Sequence, residues 1–206
     1  MLASLGWDVL ATDTPNVIAT VLSRNVLQNV AALPPDSGSI ETRELDWTVK
    51  PEKWTWDDDK VIASAAREDS QAPTNSDLKS SLHQVDSSLQ FPGPPFDLIV
   101  TSDTVYSPEL ARPLLRTIHA LCDASRQRSA AHTRCPPVYL CIERRDPGLI
   151  DRTLAEAASV WGFSVVRIPH KKVAKAMEKG GVNWDGEDWE GIEIWKLTLV
   201  ANAVLP

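Results

Sequence analysis

Acidic and aromatic side chains follow several apolar runs that are typical of β-strands. Asp13 ends "WDVLATD" and Trp47 ends "IETRELDW", while Ser102, Asp103 and Tyr106 follow the apolar core of "FDLIVTSDTVY". Ligands of parallel α/β sheets bind beyond the carboxyl ends of the strands, so these residues are candidates for a binding site. Asp13 is suited to accept hydrogen bonds from ribose hydroxyls or, equally, to favour the start of the next helix as a carboxylate. Trp47 offers a flat face for an adenine ring, although tryptophan at a strand end is more often core.

The elements that position these residues alternate between strand and helix patterns. After "WDVLATD", Thr14 and Pro15 supply an N-cap and a first-turn proline. The helix that follows is predicted to have one apolar face, because apolar residues recur at three- and four-residue intervals. These residues are Val17, Val21, Leu22, Val26 and Val30.

The second half of the chain continues this alternation. The strands "FDLIVTSDTVY", "PVYLCIERR" and "SVVRIPH" are separated by helical segments, and "GIEIWKLTLV" is a last strand with no helix behind it. We expect Leu98-Ile99-Val100 to be buried on both faces and Pro113 to lie in the first turn of its helix. The order predicts an α/β fold with a doubly wound, mostly parallel sheet and an antiparallel C-terminal strand.

Domain organisation follows from length and from one change in composition. The 206 residues, 43% of them hydrophobic, predict a single domain over 1–206. Between about 57 and 95 the pattern changes to Asp, Ser, Gln, Asn and Pro, with some helical tendency around Val61–Arg67. This stretch is interpreted as a mostly disordered surface insertion.

Composition argues against several classes of partner. A formal net charge of −7 disfavours a general nucleic-acid binder and favours a basic protein partner. No apolar run reaches the roughly 18 residues of a membrane span, so no membrane partner is expected. The three cysteines form no CxxC pair and the four histidines are scattered, which predicts no metal site and a reducing cytosol or nucleus.

Three motifs in order carry a family resemblance. "DVLATD…VLSRNVLQN", "ELDW" and "FDLIVTSDTVY" together resemble the seven-β-strand S-adenosylmethionine-dependent methyltransferases of methyltransferase family 16, which mostly methylate protein lysines. The resemblance implies a Rossmann-like fold with S-adenosylmethionine as cofactor. It also implies that Asp13 binds the cofactor ribose, that Trp47 lies by the adenine, and that Ser102 is near the cofactor. Asp103 and Tyr106 would then line the channel for the substrate lysine.

One element of the family pattern is absent from the sequence. Family members carry a first strand and a Glu-x-Gly-x-Gly-x-Gly turn just before the helix whose end resembles "MLASLG", whereas the nine glycines here include no Gly-x-Gly pair. We therefore expect a fragment without the first strand, or alternatively a degenerate relative, with impaired cofactor binding. In the family's sheet order the absent strand is central, so "WDVLATD" and "FDLIVTSD" are expected either to pair with each other or to leave an exposed cleft.

The chemistry implied by the resemblance is direct methyl transfer to a neutral lysine amine. Asp103 would anchor and orient that amine, and Tyr106 would hydrogen-bond to it or wall the channel. Without the resemblance, Asp103 is better interpreted as a turn cap and Tyr106 as a half-buried aromatic. A non-catalytic interaction protein with the same fold is the main alternative function. A nicotinamide-dependent dehydrogenase is disfavoured by the terminal strand, the Asp-x-x-Tyr sequence and the absence of a dinucleotide turn.

Overall fold

The protein is described by a computed structural model that covers residues 1–68, 93–128, 135–182 and 189–200. The chain divides into two compact units, Met1–Gly93 and Pro94–Pro206. Each unit contains one β-sheet with helical connections, so the predicted α/β class is confirmed. The prediction of a single domain stays a prediction.

The first unit is built on a parallel three-stranded sheet. Its strands are β1 (Val9–Asp13), β2 (Ile40–Leu45) and β3 (Val61–Ala63), in the order β1-β2-β3. The β1–β2 register pairs Asp13 with Glu44, and the β2–β3 register shifts between Glu44 and Leu45. The carboxyl ends of β1 and β2 therefore lie at the same edge of this sheet.

A helical segment connects β1 to β2. It begins with α1 (Pro15–Val17), with Pro15 in the first turn as predicted, although the side chain of Thr14 at the N-cap position makes no capping hydrogen bond. It continues as a π-helical turn over Ile18–Leu22 and ends with α2 (Ser23–Asn29) and a 3₁₀ turn at Val30–Ala32. No residue of the segment is buried. The π-helical turn changes the helical phase. The apolar face was predicted from an unbroken spacing of three and four residues, and it is therefore only partly present. Val21 and Val30 are about half exposed.

The core of the first unit forms around β2 and β3. Its buried residues are Leu45, Val49, Ile62 and Ala63, and the partly buried side chains packed on them are Leu10, Trp47, Trp54 and Trp56. The Arg43 side chain is fully buried, forms an ion pair with Glu41 and donates to the carbonyl oxygen of Trp56 at 3.3 Å.

The start of the expected insertion differs from the interpretation of the sequence. Val61–Ala63 is strand β3 rather than helix, and helix α3 covers only Ala65–Glu68. Parallel pairing with β2 supplies hydrogen bonds that the local sequence pattern does not reveal. The rest of the expected disordered stretch, 69–92, lies outside the described residues.

The second unit contains a mixed four-stranded sheet. Its elements are β4 (Ile99–Ser102), α4 (Pro108–Arg128), β5 (Val138–Glu143), α5 (Pro147–Ser159), β6 (Phe163–Ile168), α6 (His170–Lys179) and β7 (Ile192–Leu199). The strand order is β4-β5-β7-β6, with β4 parallel to β5 and with β7 antiparallel to both of its neighbours. The predicted antiparallel last strand is confirmed.

Two expectations about this unit are wrong. The side chain of Val100 is 51% exposed rather than buried, because β4 is an edge strand with β5 as its one strand neighbour among the described residues. Pro113 is the sixth residue of α4, because the helix already begins at Pro108. Among the described residues, β1 is likewise an edge strand of its own sheet. The two strands that the resemblance places on either side of an absent strand, β1 and β4, are therefore both edge strands.

Within the four described ranges, no helix combines the length and apolar composition that a membrane crossing requires.

A close approach at Gly38 generates a stability prediction. A Cβ atom at this position would lie 2.1 Å from the carbonyl oxygen of Trp7, so Gly38→Ala must displace backbone beside the β1–β2 pair. We expect the free energy of unfolding to fall by roughly 1–3 kcal/mol, measured by urea unfolding with tryptophan fluorescence. The control is Gly148→Ala in α5, where the new Cβ meets only side-chain atoms, Arg152 Nη1 at 3.3 Å and Asp146 Oδ1 at 3.5 Å, and alanine favours the helix. An equal loss in both variants would contradict the prediction.

The surroundings of His119 generate a pH prediction. Its ring centroid lies 5.6 Å from that of Trp161 and 6.1 Å from that of Phe163, and burial lowers the pKa of His119 despite the opposing effect of Asp123. The unfolded chain binds this proton at about pH 6.5, above the folded pKa, so protonation favours unfolding. The stability that the folded state gains from neutral, buried His119 is therefore fully present above about pH 6.5 and is lost as the pH falls below this value. Unfolding measured between pH 8 and 5 should lose less stability in His119→Gln than in the wild type, and equal losses would count against this.

Candidate functional site

Asp13 lies at the carboxyl end of the edge strand β1. Its Oδ1 accepts a hydrogen bond from the backbone N–H of Thr14 at 2.8 Å and lies 3.4 Å from the Thr14 hydroxyl oxygen. Its Oδ2 has no hydrogen bond within the part of the chain that the structure describes. Asp13 is half-buried just before α1, a location that fits both the helix-start reading and the ribose reading of the sequence.

Trp47 lies beyond the end of β2, at the same edge of the sheet as Asp13. Its indole packs on the core of the first unit, which favours the core reading of this residue. The preceding Asp46 turns its Oδ1 toward Thr48, whose N–H and hydroxyl lie at 2.8 and 2.6 Å. The β2 end therefore offers a partly buried aromatic ring beside an acidic residue that is already hydrogen-bonded.

Ser102 and Asp103 mark the carboxyl end of β4. Ser102 is exposed, and Asp103 has a φ of 52°, in the left-handed region that aspartate tolerates better than most residues. The Asp103 N–H donates to the carbonyl oxygen of Cys141 at 2.9 Å, which extends the β4–β5 ladder by one residue. This hydrogen bond and the left-handed turn fix where the Asp103 side chain leaves the sheet.

Arg145 links the carboxyl ends of β4 and β5. Its Nη1 lies 3.4 Å from Asp103 Oδ2, and its Nη2 forms a close ion pair with Glu143 Oε2. The hydrogen bond from Arg145 holds the pKa of Glu143 below its usual value, and the same contact together with the charge of Asp103 raises the pKa of Arg145. The side chains of Asp103 and Glu143 are about half exposed and that of Arg145 is 65% exposed, so the cluster is open to solvent.

Tyr106 extends into solvent three residues after Asp103. Its side chain is 62% exposed, whereas the neighbouring Val105 is buried. Between Asp103 and Val105, the Thr104 hydroxyl donates to the Thr101 hydroxyl at 3.0 Å. The reading of Tyr106 as a half-buried aromatic is therefore wrong, and the carboxylate of Asp103 faces Arg145 rather than capping a turn.

Neither Glu143 nor Arg145 is among the candidate residues named from the sequence. Arg145 follows β5 directly in "IERR", yet its approach to Asp103 depends on the parallel β4–β5 register, which aligns Ser102 with Cys141. A pair of arginines after a strand is the only local signal. Its neighbour Arg144 has a different role, because it bonds to Asp151 at 2.6 Å and lies 3.4 Å from the buried Glu193.

The described residues hold part of what S-adenosylmethionine needs. The free Oδ2 of Asp13 can accept hydrogen bonds from ribose hydroxyls, and Trp47 supplies an aromatic surface at the same sheet edge. The sequence has no Gly-x-Gly turn to let the backbone approach the amino-acid end of the cofactor. Within the described ranges, no group of three or more His, Cys, Asp or Glu side chains is arranged to hold a metal ion.

Comparison with known proteins adds no family assignment. No protein-family model matches this chain, and no curated protein matches its sequence. Function has to be inferred from the side chains at the two sheet ends.

Proposed function

We propose that this protein is a Rossmann-like, S-adenosylmethionine-dependent methyltransferase that acts on lysine side chains of a basic protein. The observation that carries the proposal is the arrangement at the end of β4. There, the half-exposed carboxylate of left-handed Asp103 lies three residues before the solvent-exposed ring of Tyr106. A carboxylate and a phenol held at a strand end can recognise an amine.

The cofactor side of the proposal rests on the first unit. Asp13 would bind the ribose hydroxyls through its available carboxylate oxygen, and Trp47 would contact the adenine with the part of its ring that the core leaves open. In the family that the sequence resembles, the residue at the position of Ser102 is near the cofactor, and Ser102 is exposed in the second unit. When bound, S-adenosylmethionine supplies an electrophilic methyl group on a sulfonium.

Asp103 is assigned to orient the substrate amine. A lysine must lose its proton, with a pKa of about 10.4 in water, before its nitrogen lone pair can attack the methyl carbon. A nearby carboxylate favours the protonated amine, so Asp103 serves to anchor and align the amine rather than to abstract its proton. Tyr106 would form a wall of the channel and offer a hydroxyl to the same nitrogen.

Charge supports a basic protein as the partner. The chain carries 28 acidic and 21 basic residues apart from histidine, and "WTWDDD" keeps Asp57 and Asp59 exposed beside packed tryptophans. Opposite potentials steer such partners into contact. The free thiols of Cys122, Cys135 and Cys141 fit the proposed cytoplasmic or nuclear location.

Cofactor binding gives the first functional prediction. Without a glycine turn, several hydrogen bonds at roughly 1 kcal/mol each are lost, so this 206-residue chain should bind S-adenosylmethionine about two or more orders of magnitude more weakly than a form that contains such a turn. Calorimetric titration of both forms measures the difference, with micromolar binding expected for the form with the turn. In that form Asp13→Asn should weaken binding, whereas Asp36→Asn, at an exposed position of the same unit, should not. Tight binding by the 206-residue chain would mean that the cofactor site lies elsewhere.

Methyl transfer gives the second functional prediction. In a form that binds the cofactor, Asp103→Asn should reduce transfer of a radiolabelled methyl group to an array of lysine peptides by about 100-fold or more, while cofactor affinity stays nearly constant. Asparagine tolerates the left-handed backbone, so the loss would report the carboxylate rather than the fold. The control is Asp97→Asn, an exposed carboxylate at the other end of β4. Unchanged transfer in Asp103→Asn would remove this residue from the site, and a form with the turn that binds no cofactor would favour the non-catalytic alternative.

A further inference from the structure

Negative charges outnumber positive charges in the cluster at the ends of β4 and β5. Two carboxylates, Asp103 and Glu143, share one guanidinium, that of Arg145, so the set carries one net negative charge. Neighbouring charged groups are engaged elsewhere. Arg144 is paired with Asp151, and the Asp146 carboxylate accepts the N–H of Leu149 at the start of α5.

We propose that Arg145 is a positioning residue that turns Asp103 and Glu143 into a receptor for one further cation, the substrate ammonium. This inference rests on the proposed lysine methylation. The guanidinium is held from two sides, by its own Glu143 and by Asp103 across the strand pair. The Arg145 N–H also donates to the carbonyl oxygen of Glu143 at 2.8 Å, which fixes the backbone from which the side chain starts.

The charge of Arg145 matters because the substrate must bind as a cation and react as an amine. One net negative charge attracts a lysine ammonium, whereas two uncompensated carboxylates would hold it more tightly and would oppose its deprotonation. With Arg145 present, the ammonium loses its proton to solvent more readily. With S-adenosylmethionine bound, the amine would form the N–CH₃ bond as the C–S bond breaks. The electron pair of the C–S bond would stay on the sulfur, giving a neutral thioether and a methylammonium that later releases a proton to solvent.

Removing the charge at this position should therefore separate binding from turnover. In Arg145→Gln we expect a lower KM for a lysine peptide but a lower kcat at neutral pH, and the rise of kcat with pH should move to higher pH. One pKa unit on the amine would correspond to about a tenfold fall in kcat below that rise. Arg145→Lys keeps the charge and should restore most of the wild-type profile.

The experiment compares wild type with Arg145→Gln, Arg145→Lys and the control Arg112→Gln. All four proteins are made in the form that contains the glycine turn and binds the cofactor. Arg112 loses the same charge at an exposed ion pair with Glu156 on the helical side of the unit. Steady-state methyl transfer to the best lysine peptide of an array is measured from pH 6 to 10. The Glu143 carboxyl is titrated in parallel by ¹³C NMR, which needs no activity.

Each outcome decides the inference. Support requires that Arg145→Gln alone raises the pKa of Glu143 and lowers both KM for the lysine peptide and kcat at neutral pH. A Glu143 titration equal to wild type, or kinetics of Arg145→Gln equal to those of Arg112→Gln, overturns the role of Arg145 while leaving lysine methylation intact. A wild-type protein that binds the cofactor but methylates no lysine peptide overturns the proposed function and this inference with it, whatever the Glu143 titration shows.

Discussion

The hydrogen bond from the Asp103 N–H to the carbonyl oxygen of Cys141 is the contact on which the proposed site depends. It carries the β4–β5 ladder one residue beyond β4 and fixes the backbone just where Asp103 enters the left-handed region. Because β4 is an edge strand, β5 is the one strand in the described residues that can hold this end in place. The same strand carries Glu143, and Arg145 follows directly after it. One strand pair thus sets the positions of all three charges.

The sequence predicted the class of structure better than it predicted the environment of each element. The α/β class and the antiparallel β7 followed from the strand and helix alternation and from the absence of a helix after "GIEIWKLTLV". Burial of β4 was predicted incorrectly because an apolar run does not reveal whether a strand lies at the centre or at the edge of a sheet. Strand β3 was missed because its three residues are stabilised by pairing with β2, which is a non-local contact.

The candidate site shows the same division between local and non-local information. Asp13, Ser102 and Asp103 could be found because strand ends are visible in the sequence, and the structure does put each of them at such an end. Arg145 could not be connected to Asp103, because the two are 42 positions apart and meet only through the β4–β5 register. Trp47 shows the converse difficulty, since one indole can pack on a core and still present an edge to a ligand.

Two charge networks in the second unit differ in a way that bears on function. Glu193 is buried and is contacted by Arg144, Arg167 and the Trp195 indole N–H, so its charge would be left uncompensated, at a cost of several kcal/mol, only if both arginines were lost. The Asp103 set is about half exposed, where an ion pair contributes only about 0–1 kcal/mol, and a left-handed non-glycine backbone costs about that much or more. The Glu193 network is therefore explained by folding alone. The Asp103 set stabilises the fold little, so its arrangement at an open strand end is not required for folding and is available for the ligand recognition that we propose.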